Sequence, residues 1–294
     1  MKKEIYHKSV LTNEVLEYLN PKPNKIYIDA TFGGGGHTKA ILEKEPNCKV
    51  IAFDWDERAL QNAAPLKEKH GDNLELVWGN FAQIYKLLKP LKITKFDGIL
   101  ADVGTSQFQI HQKAGFSFQT ETPLDMRMST AHQRLTAAEI LNKFPEKKIA
   151  QIFFEYGEEN QSRKIAKAII EQRKIIPFKD TKQLANLISK IKPFKTGQKK
   201  HPATKVFQAL RIFVNNELDN INSLLKSSIS MLNEKGRMVF ISFHSLEDRI
   251  VKNFFKENIE KLEILTPKAI TATINEIDEN PSSRSAKLRA ALKK

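Results

Sequence analysis

Along the first hundred residues, short apolar runs alternate with segments of helical spacing. The runs are KIYIDA (25–30), KVIAFD (49–54), LELVWG (74–79) and FDGILAD (96–102). They are rich in Val, Ile and Phe, and each is the length of a strand buried on both faces. Between them lie HTKAILEKE (37–45), ERALQNAAPLKEKH (57–70, interrupted by Pro65) and FAQIYKLLKPL (81–91). Strands alternating with helices predict a parallel sheet covered on both sides.

After Asp102 the rhythm changes. The next convincing strand is RMVFISF (237–243), and the stretch between is far too long for one crossover helix. It reads as successive helices over 136–144, 146–157, 158–174 and 181–191. The last has Pro177 and Asp180 before it and Pro193 after it. A helical insert over 113–200 follows, with the sheet domain over 1–112 and 201–294. One long helix is expected over 204–236, ended by Gly236, with Val206, Leu210, Phe213, Ile221, Leu224 and Leu225 near one face. The basic tail NPSSRSAKLRAALKK is expected to be partly mobile.

Composition narrows the partners. The 294 residues carry 48 Lys and Arg against 34 Asp and Glu, a formal net charge of +14. Such a surplus suits an anionic partner, nucleic acid above all, although Lys is abundant even in ordinary stretches. The single cysteine, Cys48, excludes a disulfide framework or a Cys-based zinc site within the chain. Neither a signal-peptide pattern nor a membrane-length apolar run is present, so a cytoplasmic protein with no membrane partner is expected. The acids and the seven His form no metal-ligand pattern.

The segment YIDATFGGGGHTKAIL (27–42) raises the question of a ligand. Gly36 is followed by His37, Thr38 and Lys39, which is the wrong order for a P-loop. Counted from Gly33, the dinucleotide fingerprint places Thr38 where its last glycine belongs. The strand ends add more. Asp54 closes the second apolar run, where a carboxylate suits ribose hydroxyls. Phe81 follows the third, where a ring could lie on adenine, and Asp102 closes the fourth. Together these favour a nucleoside site. Lacking a full pyrophosphate fingerprint, it suits S-adenosylmethionine better than NAD, and an NAD-dependent oxidoreductase on a similar sheet stays as the alternative.

Longer motifs then point to a family. DGILADVG (97–104), GFSF (115–118), PLDMRM (123–128), EYGEE (155–159), HPAT (201–204), FQALRIFVNNEL (207–218), ISFHSLEDRIVK (241–252) and RSAKLR (284–289) accompany the glycine segment in order. In these the chain resembles the RsmH (MraW) family of bacterial small-subunit ribosomal RNA methyltransferases. The resemblance implies a class I S-adenosylmethionine-dependent methyltransferase, a Rossmann-like α/β sheet with an inserted α-helical domain that recognises substrate. It implies methyl transfer to N4 of a cytidine in the decoding region of 16S rRNA, within a small-subunit particle, by a monomer or homodimer. Carried over by motif, the cofactor residues are Gly35, Gly36, His37, Asp54, Phe81, Asp102 and Gln109. Three positions depart from the family pattern: Gln107 stands for a serine, and Ala114 and Ser282 each stand for an arginine.

Asp102 and Ser106 are the candidates for orienting the target amine, because no D-P-P-Y-like stretch follows the fourth strand. Its absence also disfavours a DNA cytosine-N4 methyltransferase, and a non-catalytic RNA-binding assembly factor on the same fold is a further alternative. Phe116 and Phe118, with Phe243, are candidate walls for a flipped base, although an ordinary buried strand explains the alternation as well. His244 could position the target or bond its own loop, and Ser245 with Asp248 fits a helix start. Arg127, Lys205, Arg211, Arg284 and Arg289, with Lys199 and Lys200, are the candidate RNA contacts, while Arg163, Lys164 and Lys167 suit a solvated helix face.

Overall fold

The computed structural model describes residues 9–104, 114–194, 197 and 201–294. The chain forms two compact units, one from 1–106 with 218–294 and one from 107–217.

The first unit is a sheet built from β1 (Ile26–Asp29), β2 (Lys49–Asp54), β3 (Leu74–Trp78), β4 (Phe96–Asp102), β5 (Leu232–Ser242), β6 (Leu262–Ile264), β7 (Ile270–Thr271) and β8 (Lys287–Lys293). Its order is β3-β2-β1-β4-β5-β8-β6, with β7 also on β8. The first five run parallel, while β8 is antiparallel to β5, β6 and β7. This is the expected Rossmann-like α/β sheet, with an antiparallel strand added beyond β5. Alternate residues feed two cores. Ile28, Ile51, Phe53, Ile99, Met238 and Phe240 face one side with Ile221, Leu224 and Leu225 from the helix Glu217–Met231. Tyr27, Val50, Ala52, Leu100, Val239 and Ile241 face the other, against Val15 and Leu19 of the helix Thr12–Leu19 and Ile41 and Leu42 of the helix Gly36–Lys44.

Two expectations fail in this unit. The tail is an interior strand, because Leu288, Ala290 and Ala291 are buried and β8 bonds β5 and β6 along its length. The long helix over 204–236 is two helices, Thr204–Asn215 and Glu217–Met231, broken at Asn216 in the left-handed region (φ 51°). Helical spacing continues through the break, so periodicity alone does not show it. Gly236 does not end a helix; it lies within β5, after Lys235 at φ 62° and a register shift in the pairing with β4.

The second unit packs the helices Ala137–Lys143, Glu146–Gly157, Ser162–Ile175, Thr181–Ile191 and Thr204–Asn215 around Ile140, Ile152, Phe153, Ile169, Leu184, Val206 and Leu210. Thr136 and Asp180 each begin a helix with a capping box. The helix 204–215 belongs to this unit, so the chain returns to the sheet unit at Leu218 rather than at 201. Buried Asn215 ties the PLDMRM segment to that helix: its Oδ1 accepts from Met128 N–H and its Nδ2 donates to Met126 O, both at 2.8 Å.

Gly157 is where two of these helices approach most closely. A Cβ there would lie 2.5 Å from Lys205 O and 3.2 Å from the Ala209 Cβ. Backbone cannot yield as a side chain does, so Gly157→Ala should destabilise the helical unit by about 1–3 kcal/mol. A urea midpoint unchanged from the parent would show that the helices separate without strain.

Candidate functional site

The strand order reverses between β1 and β4, and in open α/β sheets the crevice at the carboxyl ends beside such a reversal receives the ligand. Asp29 ends β1, Asp54 ends β2 and Asp102 ends β4. The expected glycine segment joins β1 to the helix 36–44 at this edge.

Asp29 is wholly buried. Its Oδ2 accepts from Thr38 Oγ1 at 2.7 Å and its Oδ1 from Thr31 N–H at 3.1 Å. Burial pushes its pKa up, opposed by these bonds and by nearby His37. The Thr31 hydroxyl oxygen in turn accepts the Asp102 N–H at 2.7 Å. A chain of side chains thus links β1, the glycine-loop helix and β4.

The glycines divide by conformation. Gly33 and Gly35 adopt φ of 53° and 75°, the left-handed region, and Gly35 caps the helix. Gly36 has no such φ, but a Cβ on it would lie 2.2 Å from Ser9 Oγ. Gly34 is exposed and free of positive φ. Ser9 carries no motif signal, so only the fold reveals its contact.

His37 follows on the first turn of this helix and is 5% exposed. Neither ring nitrogen has a hydrogen-bond partner among the described residues. Nε2 lies 3.5 Å from Asp102 Oδ2, close enough for charge to matter but long for a hydrogen bond. A buried polar group without a partner costs about 1–3 kcal/mol, so the site is built to receive something polar.

Asp54 Oδ2 accepts from Gly33 N–H and Oδ1 from Asp56 N–H, both at 2.8 Å, which leaves a lone pair on each oxygen. Burial pushes its pKa up to about 6. Trp55, which follows, sits with its ring 6.5 Å from that of Phe81 at a 38° tilt. The indole N–H of Trp78 holds the Trp55 carbonyl at 3.1 Å. Sequence reasoning missed Trp55, because one aromatic beside an acid carries no spacing signal. The half-satisfied carboxylate and the aromatic pair form a set that fits the ribose and adenine of S-adenosylmethionine.

Gly35, Gly36, His37, Asp54, Phe81 and Asp102 therefore gather at one edge of the sheet. Ser106, Gln107 and Gln109 lie outside the described residues, as do Lys199 and Lys200.

The nominated RNA residues fare unevenly. Arg127 pairs with Asp125 through Nε at 2.6 Å and Nη2 at 2.8 Å. Arg211 grips Glu217 through two bonds, at 2.9 and 2.8 Å. Arg289 is buried on β8 and bound to Asp248 at 2.6 and 3.2 Å. Each of these three guanidiniums is paired with a carboxylate, and Arg289 is largely buried. Lys205 is exposed and donates to Glu158 O at 2.8 Å, and Arg284 is exposed on the turn Pro281–Ser285. Phe116 and Phe118 pack against the helical core. Phe118 stacks on His201 at 4.6 Å and meets Phe207 edge-on at 5.2 Å, so packing within the helical unit accounts for its ring. Phe243 lies over Gly104, where a Cβ would fall 2.4 Å from its ring. His244, not Ser245, is the N-cap: its side chain accepts from Glu247 N–H, while Glu247 Oε2 accepts from the N–H of Phe243 and of His244. The imidazole thus has a local structural role.

Substitution separates the glycines. Gly36→Ala should weaken S-adenosylhomocysteine binding by tenfold or more, while Gly34→Ala stays within about twofold. Calorimetric titration would check both, and Ser9→Ala should recover part of the Gly36→Ala loss. Equal losses at 34 and 36 would contradict the packing described.

The chain as a whole is similar to known proteins. Residues 4–294 match the model of the MraW methylase family. The ribosomal RNA small subunit methyltransferase H of Carboxydothermus hydrogenoformans is 42% identical, over 99% of this chain and 98% of that protein. Its namesake from Sulfurihydrogenibium sp. is 46% identical over 97% and 98%. That from Hydrogenobaculum sp. is 47% identical over 97% and 95%. With the sheet order, the strand-end acids and a match over nearly its full length, the chain belongs to the MraW methylase family of S-adenosylmethionine-dependent methyltransferases.

Proposed function

We propose that this methyltransferase modifies N4 of a cytidine in the decoding region of 16S rRNA, within a small-subunit particle. The relatives are ribosomal RNA small subunit methyltransferases by name, which supports the substrate class. The net charge of +14 suits an RNA partner. The observation that carries the chemistry is Asp102, a largely buried but still accessible carboxylate at the strand reversal, beside a buried imidazole with no hydrogen-bond partner among the described residues. The nicotinamide oxidoreductase and the non-catalytic assembly factor both give way to the family assignment. No helix among the described residues is long and apolar enough to cross a membrane.

S-adenosylmethionine supplies a methyl group on a sulfonium sulfur, an electrophile with a good neutral leaving group. The protein's own task is approach geometry and exclusion of water. Gly35 and Gly36 bring bare backbone to the cofactor's amino-acid end. Asp54 would receive the ribose hydroxyls on its free lone pairs, and Phe81 would offer its ring to the adenine. The cytosine amine is a poor nucleophile because its lone pair is delocalised into the ring. Asp102 accepts one of its N–H bonds and turns it toward attack. Ser106 and Gln109 keep the roles that the family motif implies. The helical unit recognises the substrate, with Lys205 there and Arg284 on the sheet unit as phosphate contacts.

Two experiments test this. Labelled S-adenosylmethionine and small subunits lacking the modification should give one labelled cytidine in the decoding region; label elsewhere, or none, would refute the substrate. The second concerns Asp54. A ribose hydroxyl donates to the ionised carboxylate, which exists above its pKa of about 6. Cofactor affinity should therefore fall as pH drops below about 6, approaching tenfold per unit. Asp54→Asn should bind weakly with a flat profile, and an unchanged slope in that variant would remove Asp54 from the ribose.

A further inference from the structure

His37 is the feature that cofactor binding leaves unexplained. Its place in the glycine motif suggests contact with the cofactor, yet its ring is turned inward. It is 5% exposed, and neither nitrogen has a hydrogen-bond partner among the described residues. Two carboxylates face it. Asp102 from β4 lies 3.5 Å from Nε2, and Asp29 from β1 is close enough for the imidazole to lower its pKa. The two carboxylates differ in what they can accept. Asp29 is wholly buried, with one donor on each oxygen from Thr31 and Thr38. Asp102 is 14% exposed at its side chain, and its N–H is fixed on Thr31. Of the two, only Asp102 has access to a substrate.

We propose that His37 is a positioning residue for methyl transfer: it aligns the Asp102 carboxylate and takes from it the proton released by the target amine. This rests on the reading of Asp102 as the group that holds the amine. In the reaction the N–C bond forms as the C–S bond breaks, and the electron pair leaves on sulfur. The nitrogen becomes cationic and loses one proton to Asp102. Without a second acceptor, Asp102 stays protonated and cannot hold the next amine. His37 Nε2 takes that proton and restores the carboxylate, and the imidazolium gives it up to water as the products leave, which resets both groups. The 3.5 Å separation closes by a small shift when the site fills, as catalytic hydrogen bonds often do. Thr31 and Thr38 hold the surrounding elements so that the imidazole and carboxylate stay in register.

The test is His37→Gln, which keeps a polar side chain of similar reach but cannot titrate. Turnover at saturating S-adenosylmethionine should fall at least tenfold. The S-adenosylhomocysteine dissociation constant should stay within about threefold. The parent's turnover should rise along one limb of its pH profile, and that limb should vanish in the variant. A variant with parental turnover and limb would overturn the proposal. So would one that loses cofactor affinity while turnover at saturation survives, because His37 would then be a cofactor ligand alone. If the variant melts far below the parent, the parent itself carries the test. Spectra of 15N-histidine-labelled protein should show one of the seven imidazoles titrating where turnover changes, and shifting in Asp102→Asn. No such imidazole would overturn the relay. The spectra and the binding measurement need no RNA, so a wrong substrate would leave them standing.

Discussion

At the end of β1 a buried carboxylate, Asp29, accepts the Thr38 hydroxyl and the Thr31 N–H, and the Thr31 hydroxyl receives the Asp102 N–H. Remove this tie and three elements lose their mutual register: the strand, the helix carrying His37, and β4 carrying Asp102. A carboxylate without water is costly unless its oxygens are bonded, and here each has one donor. That balance leaves little freedom at the strand reversal. The neighbouring Asp54 is arranged more loosely: it spends one lone pair per oxygen on Gly33 and Asp56 and keeps the rest for a ligand.

Much of this could be read in the chain before folding. Strands β2 and β4 fall on the apolar runs 49–54 and 96–102, and the helices 146–157 and 181–191 on their periodic segments. Such elements are set by local pattern and by caps such as Asp180. The break at Asn216 was not legible. A single left-handed residue interrupts a helix without interrupting its apolar spacing, and the two halves serve different cores. β8 was hidden for another reason. A basic, alanine-rich tail has weak strand propensity, and it forms a strand because β5 and β6 offer it hydrogen bonds on both sides.

The site divides in the same way. Acids at strand ends are visible because topology places them, so Asp54 and Asp102 could be named. Ser9 over Gly36 and the Trp55–Phe81 pair arise from contacts between segments distant in sequence. Charge proved the least specific guide. Arg127, Arg211 and Arg289 each meet a carboxylate, so a surplus of +14 does not say which cations are free. A guanidinium bound to a carboxylate through two donors has fewer N–H groups left for a phosphate.

The position of β8 also bears on how the protein assembles during synthesis. The β3-β2-β1-β4 part of the sheet can pair as soon as its residues emerge. β5 then joins with one edge open, and that edge is rich in Met238, Val239, Phe240 and Ile241. It stays open until Lys287–Lys293 has been made, and β6 and β7 have no strand to pair with before then. An open apolar edge invites pairing with other chains. The nascent protein therefore carries an aggregation-prone edge on β5 until β8 pairs with it and closes the sheet there.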